Sequence, residues 1–271
     1  MDKLDILQYH YPGIRKLSNI RTRWLSPDDK KNYVSKDNIF GTNDILYSFN
    51  SDGFRCDELS IPTDVVFLGC SITEGIGLNI TDTWAHIIKT KLFPESPYIN
   101  LAKGGLGIGM QAAILEWYWY TYKQNVKHLV AIFPPAHRRT FKLECKEKRN
   151  TCHFAVSGYM DGYPEQIKSA VPLLVDDQYI QYETFKEFSK IYLLSELMGA
   201  KLSYVFWEDR NTENIKSFFP KAENMNINFD DCIFKPVDRA RDMSHPGPVA
   251  QNTISEKVLN WLVTHNSDLK I

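Results

Sequence analysis

The stretch "FLGCSITEG", residues 67–75, decides the fold because it marks the abrupt end of an apolar run. Residues 65–68 are all apolar, as expected for a strand buried on both faces, and the run stops at Gly69. The small or hydroxylic residues Cys70, Ser71 and Thr73 follow. Two interpretations are open at this point. Ser71 is either the N-cap of a helix after a tight turn or a nucleophile presented at the end of a strand.

Strands and helices alternate from residue 64 onward. We predict strands at 64–69, 98–102, 128–133 and 201–207, a short fifth strand at 232–234, and helices at 81–93, 110–123, 182–199 and 247–265. Such alternation predicts an α/β fold with a parallel sheet covered by helices on both faces. Ligands of such sheets bind at the carboxyl ends of the strands, near the point where the strand order reverses.

The first 60 residues read differently from the rest of the chain. They are irregular and polar with scattered aromatic residues, and we predict an N-terminal extension (1–60) that packs on a main α/β domain (61–271). Within the extension, "SPDDKKNY", residues 26–33, predicts a short capped helix with acidic residues in its first turn. The connection at 134–181 is too long for a plain loop, which is typical of a functional or disordered insertion.

Composition excludes several classes of partner. The 32 Lys and Arg residues balance the 33 Asp and Glu residues, so we expect neither a nucleic-acid partner nor a membrane partner. The first residues are too polar for a signal peptide, and no apolar run approaches the ~20 residues of a membrane span. We therefore expect a cytoplasmic protein with reduced cysteines. Cys145, Cys152 and His153 match no standard zinc spacing, and we expect no metal.

A glycine-rich stretch, "NLAKGGLGIG" at 100–109, follows the second predicted strand. Its glycines at 105, 107 and 109 do not have the G-x-G-x-x-G spacing of a dinucleotide loop, and the next strand ends without an acidic residue to bind a ribose. We expect Gly105 instead to offer its backbone N–H to an oxyanion, with no side chain in the way.

A third stretch, "DMSHPG" at 242–247, precedes the last predicted helix. Asp242 and His245 are three residues apart, so in one tight turn both side chains can point the same way. The carboxylate can then hold the imidazole in the tautomer that accepts a proton from a serine. A lone histidine before a helix is more often structural, but the combination with Ser71 favours an acid–base role.

Taken together, "GCSIT", "NLAKGG" and "DMSHPG" resemble blocks I, II and V of the SGNH (GDSL-like) hydrolases, and "NSDGFR" at 50–55 resembles a segment ahead of block I in many members. The resemblance covers about residues 45–264. It implies a flavodoxin-like three-layer α/β/α fold without a metal or organic cofactor. It also implies Ser71 as nucleophile, His245 as base, Asp242 as its orienting group, and the backbones of Gly105 and Ser71 as oxyanion donors.

The sequence departs from that family pattern in two places. The aspartate of G-D-S is replaced by Cys70. Block III normally reads G-x-N-D after the third strand, whereas this chain has "FPPAHRR" at 133–139 and no asparagine. His137, Arg138 and Arg139 are candidates for a substitute donor or a substrate contact, and Trp207 at the end of the fourth strand is a candidate for shaping the pocket.

Two functions follow from these observations. The first is a serine esterase that removes an O-acyl group, such as acetyl, from a carbohydrate or a similar small ester. The second is a non-catalytic binding or structural protein on the same fold, for example a virion or assembly component. The loop at 134–141 discriminates between them: a donor near the Ser71 hydroxyl favours the enzyme, and a site plugged by Pro134 and Pro135 favours the alternative.

Overall fold

The computed structural model describes residues 14, 16–25, 28, 45–136, 138–145, 150–156, 177–207 and 213–270. The strands in chain order are β1 (Arg21–Thr22), β2 (Tyr47–Ser48), β3 (Val65–Gly69), β4 (Ile99–Asn100), β5 (His128–Phe133), β6 (Arg139–Cys145), β7 (Asn150–Val156), β8 (Lys201–Phe206) and β9 (Glu223–Asn224). The helices are α1 (Ser71–Glu74), α2 (Trp84–Leu92), α3 (Ile108–Tyr122), α4 (Asp177–Met198), α5 (Glu213–Phe218) and α6 (Pro248–His265). None of the described helices is long and apolar enough to cross a membrane.

Five of the strands form a parallel sheet in the order β4-β3-β5-β8-β9. When these five strands are numbered in chain order, their order across the sheet is the 2-1-3-4-5 order of flavodoxin-like folds, in which the strand order reverses between the first and third strands. That reversal point lies between β3 and β5. Ser71 lies one residue after the end of β3, so the strand order places it where such sheets bind ligands.

Both faces of the sheet are covered by helices. The side chains of β3 alternate between two separate hydrophobic cores, one on each face. Val66 and Leu68 pack in the core formed with α3 and α4. Val65 and Phe67 pack in the core formed with α2 and α6. The predicted three-layer α/β/α architecture is therefore confirmed.

The predicted fifth strand is wrong. Residues 232–234 belong to a π-helical turn, Asp230–Phe234, in which Cys232 and Ile233 are buried in the core beside α6. The fifth strand is β9, a polar two-residue edge strand that carries no apolar run for a sequence pattern to detect. The long connection after β5 contains an antiparallel β6–β7 hairpin, which was not among the predicted strands.

The described part of the N-terminal region packs on the sheet domain. Ile14, Phe54 and Leu59 enter the main core, and Asn50 to Gly53 form a tight turn in which Gly53 has φ +86°. The short helix predicted at 26–33 lies outside the described residues except for Asp28. The domain boundary at residue 60 stays a prediction.

Candidate active site

Ser71 begins α1 immediately after β3 and is buried, with 8% of its surface exposed. Gly69 permits this close return of the chain, because a Cβ atom there would lie 2.6 Å from Thr73 Cβ and 3.1 Å from the Ile132 carbonyl oxygen. The glycine that ends the apolar run is therefore required by packing. It lets the helix start beside the strand and brings the serine to the edge of the sheet.

Asp242 and His245 form a hydrogen-bonded pair in the loop before α6. The His245 Nδ1 atom lies 2.5 Å from Asp242 Oδ2, and the backbone N–H groups of Ser244 and His245 donate to Asp242 Oδ1 at 3.2 and 3.1 Å. Burial disfavours the ionised form of Asp242, but the hydrogen bonds from His245 and the backbone outweigh it. The pKa of the Asp242 carboxyl therefore lies below its usual value. An ionised carboxylate only accepts hydrogen bonds, so His245 Nδ1 carries the proton and Nε2 is left as the acceptor.

The loop that carries this pair packs against the segment that follows Ser71. Arg241 N–H donates to the Gly77 carbonyl at 3.0 Å, and a Cβ atom on Gly77 would lie 2.9 Å from Ala240 Cβ. Gln251 of α6 donates to the Ile72 carbonyl at 3.3 Å and accepts from the Trp84 N–H at 2.9 Å. The "GCSIT" and "DMSHPG" stretches are thus brought to the same end of the sheet.

Ser71 and His245 are not yet joined by a hydrogen bond. Among the described residues, Ser71 Oγ lies 3.8 Å from Cys70 Sγ, and no hydrogen bond links Ser71 to His245. Catalytic hydrogen bonds are often long in unliganded sites and tighten when substrate binds. Ser71, Asp242 and His245 therefore lie at one edge of the fold. Asp242 and His245 are already hydrogen-bonded to each other, and the hydrogen bond from Ser71 to His245 is not formed.

Gly105 lies in a turn beside Ser71. Its φ is +78°, no atom lies within 4 Å of the position a Cβ would take, and its N–H has no partner among the described residues. The adjacent Gly104 approaches Ser71, since its Cβ position would be 3.6 Å from Ser71 Cβ. The Gly104 N–H is bound by Glu74 Oε2 at 2.6 Å, which leaves the Gly105 N–H as the free donor of the turn.

The loop after β5 places Arg138 near the site. Burial raises the pKa of the Cys70 thiol, and the positive charge of Arg138 acts in the opposite direction. The half-buried Arg138 side chain also lies over the Trp207 ring, with Cζ 5.3 Å from the ring centroid. No side chain described in this loop hydrogen-bonds Ser71, and His137 and the side chain of Arg139 lie outside the described part of the structure.

Sequence reasoning missed a set of buried charges behind the site. Lys103 Nζ pairs with Glu74 Oε1 at 2.6 Å, and both side chains are almost fully buried. Arg241, next to Asp242, pairs with Asp28 at 2.6 Å in the same way. The sequence signal that could have indicated these charges is their place in the chain, since Glu74, Lys103 and Arg241 each lie inside or beside one of the three motifs.

No protein-family model matches the chain, and no curated protein matches it in sequence. Its fold is similar to that of solved structures. One is TesA, which is 14% identical, with 73% of this chain and 97% of that chain covered at a TM-score of 0.46. Another is the psychrotrophic esterase EstA from Pseudoalteromonas sp., inhibited by monoethylphosphonate. It is 12% identical, with 74% and 97% covered at a TM-score of 0.45.

Proposed function

We propose that this protein is a serine ester hydrolase of the SGNH type that removes O-acyl groups, with an acetyl ester of a carbohydrate as its substrate. The observation that carries the proposal is the Asp242–His245 hydrogen bond of 2.5 Å in a loop packed on the segment that follows Ser71. A histidine that served only the fold would not need a buried, ionised carboxylate to set its tautomer.

The geometry supports an acyl-transfer reaction in two steps. Ser71 Oγ attacks the ester carbonyl carbon while His245 Nε2 accepts the hydroxyl proton, and the imidazolium that forms is stabilised by Asp242. Collapse of the tetrahedral intermediate transfers that proton to the departing alcohol and leaves an acyl group on Ser71. A water molecule then attacks the acyl-enzyme with His245 as base, which releases the carboxylic acid and restores the serine.

The negative charge on the carbonyl oxygen needs donors in both steps. Gly105 offers an N–H without a partner among the described residues, and the Ser71 backbone N–H is the second donor of the proposal. Arg138 takes the place of the missing block III asparagine as a charged donor from the neighbouring strand end. Loss of one such donor typically raises the barrier by about 3–4 kcal/mol, so a substitute has a large effect.

A specific observation favours the second function, a non-catalytic binding or structural protein on this fold. Among the described residues, Ser71 and His245 share no hydrogen bond, and no side-chain amide replaces the block III asparagine beside Ser71. A protein released from selection for catalysis would show both features. A virion or assembly role belongs to this alternative.

Steady-state hydrolysis of p-nitrophenyl acetate and of acetylated sugars separates the two functions. Ser71→Ala and His245→Ala are expected to abolish turnover without changing the unfolding midpoint. Ser195→Ala, which removes a buried serine hydroxyl on α4, is the matched control and is expected to keep its activity. Full activity in Ser71→Ala contradicts the assigned nucleophile, and an inactive, folded parent protein supports the second function.

A further inference from the structure

A cavity of about 680 Å³ opens beside the carboxyl end of β8, two strands away from Ser71. Its size is within the range of small-molecule binding pockets. Trp207, which directly follows β8, forms one wall, and the segment after β9 forms the other. Strands β3, β5 and β8 are consecutive neighbours in the sheet, so Trp207 is offset from Ser71 by two strand spacings, roughly 10 Å. The cavity therefore lies at the same edge of the sheet as the candidate active site.

The hydrogen-bonding capacity of the Trp207 indole is not used within the described residues. Its Nε1 atom is buried and has no hydrogen-bond partner among the described residues, while the Arg138 guanidinium lies over the ring. A buried N–H donor without a partner costs free energy, so the structure favours an occupant with an acceptor oxygen. A tryptophan in a binding wall offers both that donor and an apolar face.

The opposite wall carries three amide side chains and one carboxylate, that of Asp230. Asn224, Asn226 and Asn228 line the cavity together with the aromatic ring of Phe234, and the described lining includes no Lys, Arg or His. Amide groups both donate and accept hydrogen bonds and a carboxylate accepts them, which fits the hydroxyl groups of a ligand better than an anion. Three asparagines in the wall also disfavour a long hydrocarbon chain, because their polar groups would lose water without replacement.

We propose that this cavity is the subsite for the alcohol part of the substrate, and that it binds a neutral, hydroxyl-rich sugar whose acyl group reaches Ser71. The proposal rests on the proposed hydrolase function for the position of the acyl group. The sugar lies against Trp207 and the three asparagines, and the roughly 10 Å offset separates it from the scissile bond. Small esters such as p-nitrophenyl acetate do not extend into the cavity.

Two conservative variants test the subsite. Trp207→Phe keeps a ring and removes the N–H, with Trp261→Phe on α6 as the matched control. Asn226→Asp keeps the size of the side chain and removes its amide donor. The control is Asn19→Asp, because Asn19, with φ +57°, has the same left-handed backbone conformation as Asn226, with φ +47°. The substrates are O-acetylated trisaccharides of xylose, glucose and N-acetylglucosamine, compared with p-nitrophenyl acetate.

Each cavity variant is expected to lower the ratio of kcat/KM for the best trisaccharide to that for p-nitrophenyl acetate about ten-fold, the effect of one lost hydrogen bond. The control variants are expected to keep the parental ratio. An unchanged ratio in both cavity variants overturns the subsite, as does a selective loss of p-nitrophenyl octanoate hydrolysis, which would indicate an acyl-chain pocket.

Binding to Ser71→Ala distinguishes failure of the subsite from failure of the hydrolase function. Calorimetric titration with the same trisaccharides is expected to show binding that Trp207→Phe weakens about ten-fold. Sugar binding in a protein that hydrolyses no ester would retain the subsite and contradict the proposed function. Ester hydrolysis without sugar binding to any of the three would overturn the subsite alone.

Discussion

Asp28 and Arg241, 213 residues apart in the sequence, form a buried ion pair with two-point geometry. Arg241 Nε lies 3.0 and 3.1 Å from the two carboxylate oxygens of Asp28, and Nη2 lies 2.6 Å from Oδ2. The Tyr47 hydroxyl donates to the same oxygen at 2.6 Å and accepts the Gly77 N–H at 2.7 Å. The N-terminal region is thereby connected both to the residue before Asp242 and to the segment after Ser71.

Removing one partner of this pair is expected to destabilise the protein strongly. Asp28→Ala leaves the Arg241 guanidinium buried without its counter-charge, and the free energy of unfolding should fall by about 3–5 kcal/mol. Urea unfolding measures the loss. Asp231→Ala, which breaks the more exposed Lys257–Asp231 pair, is the control and should change stability little.

The double variant Asp28→Leu with Arg241→Met tests whether the loss comes from the unpaired charge. It is expected to recover much of the stability, because replacing a whole buried ion pair by apolar residues is often neutral. A double variant as unstable as Asp28→Ala would contradict this explanation.

Replacing Asp242 by asparagine is expected to disable the histidine while keeping the shape of the turn. The amide can no longer fix the proton on His245 Nδ1, and an equivalent change in a serine protease costs about 10⁴ in kcat. We expect kcat for p-nitrophenyl acetate to fall at least about 10²-fold with little change in KM. Asp64→Asn, a partly exposed carboxylate at the opposite end of β3, should retain parental kinetics. Equal activity of the two variants would exclude the role given to Asp242.

Gly69→Ala tests the packing that starts α1. The added Cβ would overlap Thr73 Cβ at 2.6 Å and press on a backbone carbonyl, so we expect a loss of roughly 1–3 kcal/mol in stability. Gly199→Ala is a useful comparison, because its φ of +70° adds backbone strain but no atom lies within 4 Å of the new Cβ. The prediction fails if Gly69→Ala is as stable as the parent protein.

His128 is expected to make stability depend on pH. Its burial lowers the pKa of the imidazole below the ordinary 6.5, although the Asp268 carboxylate, 3.3 Å from Nε2, acts in the opposite direction. The unfolded chain therefore binds a proton more readily than the folded protein. The contribution of His128 to stability is complete above about pH 6.5 and is lost as the pH falls from 6.5 through the folded pKa.

Urea unfolding at pH 7.5, 6.5 and 5.5 measures this dependence. His128→Phe keeps a ring against Phe93 and cannot titrate, so its stability should vary less over that range than that of the parent protein. A residual dependence is expected because burial also lowers the pKa of His86. Parallel pH profiles of parent and variant would refute the assignment.

Local patterns were sufficient for four of the five strands of the sheet and for the motifs at its edge. The apolar run that ends at Gly69 and the Asp-x-x-His spacing are short-range features, and the structure shows both as the strand end and the hydrogen-bonded turn that they predict. Strand β9 was missed because two polar residues paired at the sheet edge carry no periodicity.

Long-range polar contacts could not be predicted from the sequence. Asp28 stands in "SPDD", where it is typical of the first turn of a helix, yet its carboxylate pairs with Arg241 across 213 residues. Nothing local distinguishes such a carboxylate from an exposed one, because the pairing exists only after the chain has folded. The same holds for Trp207, whose unsatisfied indole is evident only when its surroundings are known.

Labelling with a fluorophosphonate probe, followed by mass spectrometry of the modified peptide, tests the central claim most directly. The probe reacts with a serine only when a base activates it. We predict that the folded parent protein is modified on Ser71 and that Ser71→Ala is not modified. A folded parent protein that remains unlabelled, or labelling that persists in Ser71→Ala, would contradict the assignment of Ser71 as an activated nucleophile.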